Sequence, residues 1–100
     1  MTFYTQLIFL EEGQTDAFDE FEAGVLDLIA KHGGTLLYRI RPEASNVIVA
    51  AEEVPYEIHV ISFPDREDFE KYMQDDGRQA LLGLKERAVR RVMLIEGRLV

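Results

Sequence analysis

The sequence predicts an α+β fold of order β-α-β-β-α-β, an antiparallel sheet with both helices on one face, and three observations carry this expectation. Stretches rich in aliphatic and aromatic residues, FYTQLIFL, TLLYRIR, YEIHVISF and VRRVMLIEGRLV, have the length and composition of strands. Two intervening stretches repeat their apolar residues at helical spacing. Glycine, proline or aspartate stands where one period gives way to the other. No repeat, low-complexity tract or linker interrupts the pattern, so residues 1–100 are expected to form a single domain.

In the first strand Phe3, Leu7 and Phe9 share one parity and Tyr4, Ile8 and Leu10 the other, which makes it apolar on both faces. Thr15 is expected to cap a helix on which Phe18, Phe21, Val25, Leu28 and Ile29 recur, until Lys31-His32-Gly33-Gly34 ends it. Residues 35–41 resume strand character and Pro42 interrupts it. NVIVAAE, from Asn46, is β-branched enough to predict a further strand segment, the far half of a bent hairpin arm. Next, Ile58 and Val60 oppose His59, Ile61 and Phe63. Asp65 is expected to cap a second helix that carries Phe69, Tyr72 and Met73 inward, and Gly77 to break or kink it. Leu81, Leu82, Leu84 and Ala88 extend it as a short helix, and Val92 and Leu94 alternate with Met93 and Ile95 in the last strand. Right-handed crossovers then place both helices on one side of the sheet, the split βαβ or ferredoxin-like plan.

Two helices roof only one face of that sheet. An antiparallel sheet that ends in water shows polar and apolar residues in alternation, yet three of these strands are apolar on both parities. A bare face on the order of 600 Å² would reach the largest apolar patch usual for a monomer. At about 25 cal/mol per Å² its burial represents roughly 15 kcal/mol before association costs. The expectation is a two-fold homodimer whose open sheets face each other, an eight-stranded barrel-like core with helices outside.

With no cysteine, disulfides, thiol nucleophiles and thiolate metal sites are excluded. The net charge of −8 argues against binding to nucleic acid or to anionic membranes. MTFYTQLIFLEE lacks a basic leader and its apolar run is too short to span a bilayer, so a cytoplasmic protein is expected. Charge is unevenly placed. Glu11, Glu12, Asp16, Asp19, Glu20, Glu22 and Asp27 come without a basic residue, and Arg78, Lys85, Arg87, Arg90, Arg91 and Arg98 crowd the closing stretch. Both runs read as solvated helix faces; the alternative reading makes the acidic one a docking surface for a basic partner.

His32-Gly33-Gly34 before a strand holding Arg39, then EIHVISFPDREDFEKYMQDD, LKERA with Arg87, and Glu96-Gly97 together resemble a short bacterial family of unknown function. That family lies in the dimeric α/β-barrel superfamily. The resemblance covers nearly the whole chain and implies a ferredoxin-like fold, a dimer and a ligand cleft between helices and sheet. The superfamily includes cofactor-independent monooxygenases, muconolactone isomerases, haem-dependent enzymes and proteins without known chemistry, so the resemblance fixes no reaction. Where relatives carry an aromatic near position 78, this chain has Arg78.

Glu57 and His59 project from the same face of their strand, and a carboxylate so placed can fix an imidazole's tautomer and raise its proton affinity. The pair also fits a purely structural role. Arg39 and Arg41 share a parity on the neighbouring strand, where either can reach Glu57 or an anionic ligand. Tyr4, Tyr38 and Tyr72 offer phenol donors. His32 reads as a helix-end residue that complements the dipole. Glu57-x-His59 supplies at most two ligands, no metal or phosphate-loop motif occurs, and no cofactor is expected. Three readings follow. One is a dimer that binds a small organic ligand in its cleft. The second is a cofactor-independent monooxygenase- or isomerase-like enzyme with His59 as base and Glu57 or Arg39 assisting. The third is a non-catalytic protein-interaction module.

Overall fold

The computed structural model describes all 100 residues. In chain order the elements are β1 (Thr2–Leu10), α1 (Thr15–Lys31), β2 (Thr35–Ile40), β3 (Glu57–Phe63), α2 (Arg66–Met73), α3 (Asp76–Gln79), α4 (Leu82–Ala88) and β4 (Val89–Gly97). The four strands form one antiparallel sheet of order β2-β3-β1-β4. This is the ferredoxin-like α+β plan that the element order predicts. The molecule is a slab of 36 × 36 × 16 Å, with helices on one broad side and bare sheet on the other. No helix is long and apolar enough to cross a membrane.

Register sorts the side chains. Tyr4 stands opposite Ile61, Gln6 opposite His59 and Ile8 opposite Glu57, and this set faces the helices. The other parity of β1 and β3, with Ile40, Met93 and Ile95, forms the open face. A bulge at Leu37 breaks the alternation of β2. Leu36 pairs with Ile61, but Tyr38 pairs with Val60 and Arg39 with His59. The extra residue therefore turns Tyr38 and Ile40 to the open face and Arg39 toward the helix side, the reverse of what unbroken alternation from Leu36 would give.

The core under α1 has two apolar parts. Tyr4, Ile29, Ile61, Phe63 and Tyr72 form one, and Ile8, Ala17, Phe18 and Ala88 the other. Gly33, at φ +79°, turns the chain out of α1, and Gly34 packs so closely that an added Cβ would lie 2.6 Å from the Phe63 ring. Asp75 ties this end down. It accepts from Lys31 Nζ at 2.8 Å, meets His32 Nε2 at 2.7 Å and caps α3 through the Gly77 amide.

Three local expectations are corrected. NVIVAAE is not a strand: after a 3-10 turn at Ala44–Asn46 the chain runs irregularly to Tyr56, with Ile48 and Val49 almost fully exposed. Pro42 and Pro55 bracket the segment and no sheet edge pairs with it, so β-branched composition has nothing to act on. Thr15 is the first helical residue rather than the cap; Gln14 occupies that position without a side-chain bond. The second helix breaks at Gln74–Asp75 rather than at Gly77, because Asp75 starts α3 there. Asp65 does cap α2, accepting from the Asp68 amide at 2.9 Å.

Candidate functional site

Between the two apolar parts of the core lies a polar cluster. The two-residue period of β3 puts both Glu57 and His59 beneath α1, at 0% and 1% exposure. From α1, Glu22 descends onto them at 3% exposure, four residues after Phe18 and three before Val25. His59 Nε2 is hydrogen-bonded to Glu57 Oε2 and lies 3.4 Å from Glu22 Oε2. On the far side of Glu57, Arg41 Nε donates to Oε1 at 2.6 Å, and Arg39 Nε stands 3.2 Å from the same oxygen. Arg41 Nη2 also donates to Asp19 Oδ1 at 2.8 Å, which fastens α1 to the end of β2.

The two carboxyl groups are driven apart electrostatically. Burial alone would raise the pKa of Glu57, but hydrogen bonds from His59, Arg41 and Arg39 outweigh it and hold the group at about 2. Glu22 gains no comparable donors. Burial, with the Glu57 charge adding to it, pushes its carboxyl up to about 7 even though His59, Arg39 and Arg41 pull the other way. Its Oε2 has no hydrogen-bond partner.

Beside Glu22 and His59 opens a cavity of about 30 Å³, floored by Tyr4, Gln6 and Ile61 and roofed by Phe21 and Tyr72. By this measure one or two water-sized groups fit. Arg78 and Lys85 close its other side. Arg78 is 5% exposed, its guanidinium lies 5.4 Å from the Tyr72 ring, and its Nε has no partner. Burial, then the Arg78 charge, lowers the Lys85 pKa.

Of the residues that the sequence singles out, Glu57 and His59 meet in the cluster, and Arg39 and Arg41 approach Glu57 from behind, outside the cavity. Tyr4 and Tyr72 line the cavity, although the Tyr4 hydroxyl points to Glu96 Oε1 at 3.4 Å and its ring stacks on Phe69. Tyr38, 62% exposed, lies on the open face, apart from the rest. Two members of the charged runs are not solvated: Glu22 of the acidic run and Arg78 of the basic run are both buried. The signal for Glu22 was its spacing, which puts it on the stripe of Phe18, Val25 and Ile29. Arg78 carries no such periodic signal.

The family model described as Domain of unknown function (DUF1330) matches residues 9–98. No curated protein matches the chain. A protein of unknown function from Rhodopseudomonas palustris superposes with a TM-score of 0.84 at 14% identity, covering 99% of this chain and 82% of its own. A dimeric protein of unknown function with a ferredoxin-like fold from Bacteroides fragilis gives 0.71 at 10% identity, over 98% and 95% of the two chains. A protein from Nitrosomonas europaea, provisionally described as an antibiotic biosynthesis monooxygenase, gives 0.71 at 10% identity, over 97% and 96%. At such identities the likeness is one of fold.

A carboxyl whose pKa rises on folding binds its proton more tightly in the native state. The native state therefore loses relative stability as pH climbs from the unfolded value of 4.5 to about 7, and the full cost is present above that. Glu22→Gln, neutral at every pH, escapes this cost. In buffer containing EDTA its stability relative to wild type should improve by roughly 2–3 kcal/mol between pH 5 and pH 8. A difference that stays flat across this range in urea melts would show that Glu22 is not buried against Glu57 and His59.

Proposed function

The chain belongs to the DUF1330 family, and from that premise, which supplies a fold and no reaction, we propose that it is a homodimer that binds a small, largely apolar organic acid between helices and sheet. The observation that carries the reading is Arg78, a buried guanidinium with an unpartnered Nε on a cavity otherwise walled by Tyr4, Phe21, Val25, Ile61 and Tyr72. A buried cation without a counter-ion is costly. No carboxylate lies within ion-pair distance of Arg78 or of Lys85, so a ligand carboxylate would supply the missing charge to both. At the opposite wall, Glu22, whose Oε2 has no partner, presents that atom to a hydroxyl of the same ligand. Phe69, Met73 and Leu94 also line the cavity, so a ligand larger than a few atoms requires side chains of this wall to move. His59 Nε2 faces both carboxyl groups, and the reading asks of it only that it hold Glu22 in place.

The dimer is supported by the open face. Ile40, Ile58, Leu7 and Met93 form one row across it and Tyr38, Val60, Thr5 and Ile95 another. Tyr38, Ile40, Met93 and Ile95 are exposed in the single chain. A stable interface buries about 800 Å² per partner, and a broad side of a slab 36 Å across is large enough to provide it.

Small hydrophobic carboxylic acids should raise the melting temperature of the wild type in thermal-shift titrations, and Arg78→Leu should abolish the acid-dependent part. At saturation near 100 times Kd the stabilisation amounts to about 2.7 kcal/mol. Equal shifts in both proteins, or none in either, would remove the ligand reading. Light scattering should give twice the chain mass at ~10 µM, and Val60→Asp, in the middle of the open face, should halve it with the fold retained. A monomeric wild type would overturn the dimer.

A further inference from the structure

We propose that Glu22, Glu57 and His59 form a binding site for a divalent transition-metal ion. The inference stands on these three side chains and does not depend on the organic-acid reading. One donor atom of each lies within 4.8 Å of the other two, and all three residues are buried. The donors come from two elements, α1 and β3, so their convergence is a product of packing and not of a local sequence motif.

Counting hydrogens gives the first argument. His59 Nε2 carries at most one proton, and two carboxylate oxygens compete for it, Oε2 of Glu57 and Oε2 of Glu22. Glu57 takes that bond, and Glu22 Oε2, aimed at the same imidazole nitrogen, is left with no partner. Once Glu22 is ionised, two carboxylate oxygens thus point at one imidazole nitrogen, a place that a single N–H cannot satisfy. A cation with several coordination positions can satisfy it.

Spacing and support give the second. Zinc binds imidazole nitrogen and carboxylate oxygen at about 2.0–2.2 Å, which sets neighbouring tetrahedral ligands roughly 3.3–3.5 Å apart. Glu22 Oε2 stands 3.4 Å from His59 Nε2. Glu57 would exchange its bond to His59 for a bond to the ion. Its other oxygen is already held by Arg39 and Arg41, which directs Oε2 inward as outer-shell partners of metal-bound carboxylates do. The adjoining cavity borders Glu22 and His59 and has room for a water to complete the coordination.

Charge and donor type narrow the ion. With Glu22 deprotonated, as a ligand to an ion must be, Glu22, Glu57 and Asp19 set against Arg39 and Arg41 leave one net negative charge with a neutral imidazole, so a divalent ion is accommodated with modest excess. One nitrogen and two oxygens without sulfur suit Zn²⁺, Mn²⁺ or Fe²⁺ and do not suit Cu⁺, while Ca²⁺ asks for six to eight oxygens. The other histidine forms no rival site, because Lys31 shares Asp75 Oδ2 with His32.

The test uses the full chain, stripped with EDTA and dialysed against ZnCl₂ or MnCl₂ without any organic acid, with bound metal measured by mass spectrometry. One ion per chain is expected in the wild type. Glu22→Gln and His59→Gln should each weaken binding about tenfold or more, while His32→Gln leaves it unchanged. Circular dichroism establishes that each variant is folded. Cobalt(II) added to wild type should give ligand-field absorption in the visible that His59→Gln loses, so the inference is tested even if Glu22→Gln does not fold. Absence of bound metal in the wild type, retention of it by both Glu22→Gln and His59→Gln, or its loss in His32→Gln would overturn the site.

Discussion

The carboxylate of Glu57, sealed from solvent, is the constraint on which much of this structure is arranged. An unpaired buried carboxylate is unstable, and removing one partner of a buried pair costs about 3–5 kcal/mol. Glu57 therefore fixes the positions of whatever neutralises it. Arg39 and Arg41 must face the helix side, and the bulge at Leu37 is the means by which β2 turns them there while Leu36 keeps its place in the core. Asp19 holds Arg41 in turn, and through it α1 is drawn over the end of β2. The axis of α1 over the sheet, and with it the depth at which Glu22 enters, follows from this chain of ionic contacts as well as from the apolar stripe.

That arrangement divides the core. Tyr4, Ile61 and Phe63 pack at one end and Ile8, Phe18 and Ala88 at the other, with the imidazole and two carboxyl groups between. A hydrophobic residue at position 22 would join the two parts and cost nothing in desolvation. A glutamate there, with an oxygen left unpartnered, and an arginine at position 78 with a nitrogen left unpartnered, are local conflicts between sequence and packing. Such conflicts concentrate at functional sites, where fold stability is given up for binding. Both belong to the wall of the same cavity.

The element order, the caps at Asp65 and Gly33-Gly34, and the common face of Glu57 and His59 are legible in the sequence because each rests on a short-range period or a single residue's backbone preference. What was not legible is non-local. Glu22 stands among six other acidic residues that look solvated, and only its place on the stripe of Phe18 and Val25 sets it apart. The bulge at Leu37 leaves no glycine as a mark, so the side on which Tyr38 and the two arginines emerge cannot be read from TLLYRIR. Residues 47–56 show the converse: Val47, Ile48 and Val49 have strand propensity and yet pair with no strand. A third metal donor was invisible for the same reason as Glu22 itself, since it comes from another element.

The central claim is that Glu22 and Glu57 occupy one buried cluster in unequal electrostatic surroundings. Carbon NMR of the side-chain carboxyls, assigned by substitution and followed through a pH titration of metal-free protein, tests it most directly. The Glu22 resonance should titrate at about pH 7 while Glu57 remains ionised down to about pH 2. Two resonances that titrate together near 4.5, the ordinary value for glutamate, would contradict the cluster and everything inferred from it.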